Sequence, residues 1–128
     1  MRVLLDTHTL LWWAHEPGKL GATAFKLIED ATNEVIVSAV SAMEITTKAR
    51  RNRLEYQTSL ASIFSQRINE LGFKMLSISC AHAEYAGNLS GDHHDPWDRL
   101  LAAQSRLEAM PLLSVDKRIA AWDVELIW

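Results

Sequence analysis

Four acidic side chains stand where an alternating α/β chain can bring them together. Asp6 directly follows the apolar run Val3-Leu4-Leu5. Glu44 lies within the stretch from Ser41 to Arg51. Asp98 follows Asp95-Pro96-Trp97, and Asp116 follows Pro111-Leu112-Leu113-Ser114-Val115. Converging carboxylates repel: two unit charges ~4 Å apart cost about 4 kcal/mol at an effective dielectric of about 20. Protonation or a bound cation must offset that cost. An oxygen-only ligand set favours Mg²⁺ or Mn²⁺ over Zn²⁺. A carboxylate-bound divalent ion activates water and stabilises charge on a phosphate. The chemistry this set suggests is phosphodiester hydrolysis.

Each acid also has a local use. Asp6 and Asp116 suit helix caps, Asp98 suits the positive end of a helix, and Glu44 can pair with Lys48 at i,i+4 for a few tenths of a kcal/mol. No single acid is specific, and the weight rests on the combination. Glu44 adds to it by sitting among Ala42, Met43 and Ile45, in a stretch that reads as largely buried.

The elements that must position these acids alternate along the chain. Val3-Leu4-Leu5, Glu34 to Val37, Met75 to Ile78, Pro111 to Val115 and Val124 to Ile127 read as short strands. Thr9 to Ala14, Ala22 to Ala31, Ser41 to Arg51, Leu60 to Leu71 and Cys80 to Leu89 read as helices. Gly72 ends the fourth of these. Asp95-Pro96 opens the next helix, with Trp97, Leu100, Leu101 and Leu107 on its apolar side. One or two helical turns follow from Lys117 to Trp122. Strands separated by helices predict a three-layer α/β/α domain with a mainly parallel sheet. Sites in such sheets form beyond the carboxyl ends of the strands, where these acids fall.

Composition narrows the class. The 128 residues are 48% hydrophobic and 23% charged, which predicts one folded domain over residues 1–128. A net charge of −3 leaves no global basic field for nucleic acid, so any such contact must be local. The single cysteine, Cys80, excludes an internal disulfide and points to a reducing compartment. Asp6 and His8 interrupt the N-terminal apolar run, and no stretch has the length of a membrane span. The expected setting is cytoplasmic.

Four segments carry a resemblance to a known family. Leu4-Leu5-Asp6-Thr7-His8, Ser38 to Ile45, Asp95-Pro96-Trp97-Asp98-Arg99-Leu100-Leu101-Ala102-Ala103-Gln104 and Leu113-Ser114-Val115-Asp116 resemble, in order, the four motifs of the PIN domain. More narrowly they resemble the VapC toxins of bacterial type II toxin–antitoxin systems. The resemblance runs nearly end to end, and the block from Asp95 to Gln104 is its most specific part. It implies a PIN fold and a metal-dependent endoribonuclease inhibited by a VapB-type antitoxin. It also implies that Asp6, Glu44, Asp98 and Asp116 form the acidic metal site, with Ser114 ordering it and Thr7 in a similar part. Met43 stands where the family often has Trp, and Ser114 where it often has Thr. Neither departure removes a carboxylate. The RNA target does not carry over.

Several other residues bear on function. Lys48, Arg50, Arg51 and Arg53 form the one dense basic run, starting a helical turn after Glu44. It is either a grip on RNA phosphates or a solvated helix end that complements the dipole. Lys48, Arg50 and Arg51 are the candidate substrate contacts. His93 and His94, beside Asp95, could suggest a metal, but they match no zinc spacing and read as a polar loop. His15 and His82 have no partner pattern, and His8 lies near the site by sequence alone. Trp97 and Trp122 read as core. Trp12 and Trp13, neighbours on one helix, cannot both face inward, so one is a candidate contact for an antitoxin or a second copy in a homodimer.

Two other classes fit less well. A phosphoaspartyl hydrolase wants a second acid two positions after Asp6, where His8 stands. A receiver module wants an acceptor Asp after a central strand, where Ile78-Ser79 supplies none. A PIN-domain nuclease that processes RNA without being a toxin stays open on the residues alone.

Overall fold

The computed structural model describes residues 1–128. Five strands, β1 (Arg2–Leu5), β2 (Glu34–Ser38), β3 (Lys74–Leu76), β4 (Leu112–Leu113) and β5 (Leu126–Ile127), form one sheet in the order β3-β2-β1-β4-β5. Every pairing is parallel. The helices are α1 (Thr7–His15), α2 (Ala22–Glu29), α3 (Ala39–Arg50), α4 (Phe64–Glu70), α5 (Cys80–Asn88) and α6 (Pro96–Leu107). No helix is long and apolar enough to cross a membrane.

The middle strands are apolar on both faces because both faces are covered. Successive side chains alternate between layers. Val3, Leu5, Val35 and Val37 join Leu10, Ala24, Ile28, Ile45, Phe64 and Ile68 on one side. Leu4, Ile36 and Leu112 join Leu101, Ala102, Ile119 and Trp122 on the other. Truncating a fully buried residue of either layer, such as Leu4→Ala, costs ~2–5 kcal/mol by the behaviour of close-packed cores.

Three expectations need adjustment. The continuous helix from Leu60 to Leu71 is broken: a 3₁₀ turn at Ser59–Ala61 precedes α4. Thr58 caps that turn through Leu60 N–H (3.1 Å), and Ile63 leaves helical geometry at φ −130°, ψ 48°. Leu60, Phe64 and Ile68 are still buried, whereas Ile63 and Leu71 face solvent. Gly72 does close α4, at φ +77°, a left-handed conformation that glycine adopts without strain. The inner face of α6 runs through Asp98, Leu101, Ala102, Gln104 and Ser105, and Leu107 is exposed. His82 has partners after all. Its Nδ1 accepts from Ser79 N–H (3.0 Å) in the capping box of α5, and its Nε2 meets Glu108 Oε1 at 2.9 Å, tying α5 to the end of α6.

Candidate active site

The strand order places β1 at the centre of the carboxyl edge, flanked by β2 and β4. Asp6 therefore sits at the middle of that edge, as the N-cap of α1. Its Oδ1 accepts from His8 N–H (3.4 Å) and its Oδ2 from the Ser114 hydroxyl (2.5 Å). Ser114 Oγ in turn accepts from Asp116 N–H (3.0 Å). One hydroxyl thus joins the ends of β1 and β4. Burial pushes the Asp6 carboxyl above its ordinary value, against the Ser114 bond.

Glu44 arrives from the β2 side. Ser38 caps α3 by accepting Val40 N–H (3.0 Å). That start sets Glu44 on the buried face of the helix. Its Oε2 takes the Lys48 ammonium at 2.5 Å. Both local readings of Glu44 therefore hold together: it is buried, and it pairs at i,i+4.

Asp98 lies in the first turn of α6. Asp95 caps that helix, accepting from Trp97 N–H (2.9 Å) and Asp98 N–H (3.3 Å). Burial, then the neighbouring Asp95 charge, pushes the Asp98 carboxyl up to about 6. His93 Nε2 lies 2.8 Å from Asp98 Oδ2 and favours the charged form. Asp116 behaves differently. Arg118 grips both its oxygens, Nε to Oδ1 at 3.0 Å and Nη2 to Oδ2 at 2.7 Å, and holds its carboxyl below the ordinary range.

Asp6, Glu44, Asp98 and Asp116 line a single cleft of about 360 Å³, with Asp95, Lys48 and Arg118. His8 and Trp12 form part of its wall. Thr7 does not join them. Its hydroxyl is buried against Ser41 Oγ (2.9 Å), so it braces α1 on α3 instead of touching a carboxylate. Arg50 and Arg51 are exposed at the end of α3, and only Lys48 of the basic run reaches the cleft. Trp12 and Trp13 are both half-buried. Trp13 packs on Phe25 and Phe73, while Trp12 meets Trp128 and His8.

Two participants escaped sequence reasoning. His93 belongs to the site and not to an idle loop: ligand atoms of His93, Asp98 and Asp116 lie within 4.8 Å of one another. Its ring stacks on Trp122 at 5.2 Å. Arg99 fixes the loop that carries it, donating to the carbonyls of His93 (2.8 Å), Ala86 (3.1 Å), Leu89 (2.6 Å) and Gly91 (3.3 Å). Arg118, the second, reaches Asp116 by folding back within a 3₁₀ turn. For His93 the available signal was the His93-His94 pair beside Asp95, set aside because its spacing matches no zinc motif. For Arg118, a basic residue two positions after a capping acid was the available hint.

Comparison with known proteins places this arrangement. The PIN domain family matches residues 3–125. The chain is 31% identical over 118 residues to Ribonuclease VapC22 of Mycobacterium tuberculosis (strain ATCC 25618 / H37Rv), covering 91% of this chain and 88% of that protein. Its fold is similar to a chain of VapBC2 from Rickettsia felis bound to a promoter DNA fragment. That match has a TM-score of 0.67 at 13% identity, with 99% of this chain and 98% of that one covered. A toxin–antitoxin complex from Klebsiella pneumoniae matches with a TM-score of 0.67 at 16% identity, covering 98% and 96% of the two chains. With the motifs in order, the sheet order in place and a relative matched over most of both lengths, the chain belongs to the PIN domain family and, within it, to the VapC ribonucleases.

Proposed function

We propose that this protein is a Mg²⁺- or Mn²⁺-dependent endoribonuclease, the toxin of a type II toxin–antitoxin pair, with Asp6, Glu44, Asp98 and Asp116 as its ion-holding acids. The observation that carries the reading is the convergence of those four carboxylates on one cleft. The donor chemistry fits the ion. Carboxylate oxygens dominate, no thiolate is near, and the two acids with raised pKa values, Asp6 and Asp98, are those a cation would relieve. When bound, the ion supplies positive charge for the phosphate oxygens and lowers the pKa of water.

The chain's own residues do the rest. Ser114 fixes which oxygen of Asp6 faces the cleft, since Oδ2 already accepts its hydroxyl proton. His93 does the same for Asp98. Such outer partners keep ligands in place and tune their basicity. Most residues lining the cleft are charged, with only Trp12 and Val115 apolar, as suits a site for a solvated phosphate backbone. The roles of Lys48, Arg50 and Arg51 separate by position: Lys48 contacts phosphate at the cleft, and the two arginines attract RNA at longer range.

The relatives' toxin–antitoxin complexes support a VapB-type antitoxin as the physiological partner, and the likeness to a VapC ribonuclease supports a cytoplasmic setting. We place the whole activity in one domain, residues 1–128, working as a homodimer. Co-expression with the neighbouring small gene tests the toxin assignment. Copurification and relief of growth arrest are expected. If neither occurs, the chain is an RNA-processing nuclease of the same family.

A further inference from the structure

Two cations occupy the cleft, and each is tied to one of its acids alone. Lys48 Nζ reaches Glu44 at 2.5 Å, and Arg118 holds Asp116 through two bonds of 3.0 and 2.7 Å. Neither side chain has another hydrogen-bond or ion-pair partner. Arg99 is the contrast: its guanidinium is committed to four backbone carbonyls and lies over the Trp122 ring at 5.3 Å. Arg99 is built into the fold, whereas Lys48 and Arg118 are held by charge.

Their placement is symmetric about Asp6. Lys48 comes from the helix after β2 and Arg118 from the turn after β4, on opposite sides of the strand that ends in Asp6. Both are tethered locally, at i+4 and i+2 from the acids they hold, so each can let go by rotating its own side chain. The Arg118 side chain is 67% exposed and that of Lys48 34%, which leaves them room to do so.

A divalent ion and these cations compete for the same carboxylate oxygens. Five carboxylates, those of Asp6, Glu44, Asp95, Asp98 and Asp116, line the cleft against these two cations. Beside a bound divalent ion, Lys48 and Arg118 would be repelled and their hold on Glu44 and Asp116 weakened. The RNA backbone then brings anionic phosphates on both sides of the bond to be cut. We propose that Lys48 and Arg118 are exchangeable counter-ions, which neutralise Glu44 and Asp116 before the divalent ion arrives and pass to the flanking RNA phosphates once it has bound. This rests on the metal-dependent ribonuclease reading above. It adds Arg118 to the substrate contacts.

The test uses K48Q and R118Q in the full chain, with R118K to keep the charge. Calorimetry with Mn²⁺ alone should show ~3- to 10-fold tighter binding to K48Q and R118Q than to wild type, because a competing charge has gone. RNA binding is then measured in Ca²⁺ with the oligonucleotide recovered intact. Each glutamine variant should bind more weakly, with a salt slope shallower by about 0.7, the value for one lost phosphate contact on a single strand. R118K should restore the slope. Opposite shifts in ion and RNA affinity are the signature, since a purely structural ion pair moves neither in this way. Mn²⁺ binding no tighter in either variant overturns the exchange, and so does an unchanged RNA salt slope. Wild-type protein that takes up no Mn²⁺ overturns the metal reading itself, a failure visible before any variant is compared.

Discussion

The four acids of the cleft divide by the company they keep. Asp6 and Asp98 are held by a hydroxyl and an imidazole, and burial raises both of their pKa values. Glu44 and Asp116 are held by an ammonium and a guanidinium. The first pair carries charge that the protein alone leaves poorly compensated, and the second is compensated already. An ion entering the cleft therefore gains most from Asp6 and Asp98. The lesson is that carboxylates within one site are not equivalent, and local pairing ranks them.

The largest effect should follow loss of the uncompensated pair. Asp6→Asn or Asp98→Asn should lower single-turnover RNA cleavage by at least ~10³-fold, as expected when several kcal/mol of charge stabilisation are lost. Folding should survive, because an amide keeps the shape and relieves repulsion. Glu44→Gln and Asp116→Asn should cost less, ~10- to 100-fold, since each removes a carboxylate whose charge a neighbouring cation already offsets. Equal losses at all four positions would erase the division between the pairs.

Arg99→Lys tests the frame that holds His93 beside Asp98. A lysine cannot reach four carbonyls in fixed geometry. The denaturant midpoint should fall by the equivalent of ~1–3 kcal/mol, and cleavage should fall with it.

The pH dependence of stability sharpens the comparison further. Burial and the Asp95 charge push the Asp98 carboxyl up to about 6, against an ordinary 3.8. Between those values the folded state binds more protons than the unfolded one, so stability falls as pH rises through that window. Asp6, raised in the same direction, adds to the fall. Asp116 has the opposite sign. Its contribution is present above its unfolded value of 3.8 and is lost only as pH drops through its lower folded value. Melting curves in EDTA should therefore decline from pH 4 to 6 more steeply in wild type than in Asp98→Asn. Saturating Mn²⁺ should abolish the difference. Parallel curves would show that Asp98 is not destabilised by its surroundings.

How much of this was legible follows from how each residue is placed. Asp6 and Asp116 could be read because they end apolar runs, and parallel strands deliver their ends to one edge. Asp98 could be read because Asp95-Pro96 marks a helix start. Ser114 came through the family resemblance. His93 could not be read: its direction is set by Arg99 bonding to four carbonyls and by stacking on Trp122, contacts with no sequence period. Where Thr7 points could not be read, because neighbouring residues at a helix start face different places, Asp6 the cleft and Thr7 Ser41. The break before α4 was hidden because Leu60, Phe64 and Ile68 keep helical spacing across it.

The smallest effect should come from the remote charges. Arg50→Gln or Arg51→Gln should change turnover by less than about twofold, with weaker RNA capture only at low salt, because exposed charges are screened beyond ~10 Å. A large fall in turnover would move the substrate path onto the end of α3.

The most direct measurement is cleavage of a defined RNA by purified wild type and Asp98→Asn, prepared side by side. Each is assayed in EDTA and then with Mg²⁺ or Mn²⁺ added back. Cleavage by wild type alone, lost in EDTA and restored by either ion, is the predicted result. Cleavage that persists in EDTA, or that the Asp98→Asn protein matches, would contradict a carboxylate-held ion as the centre of this protein's chemistry.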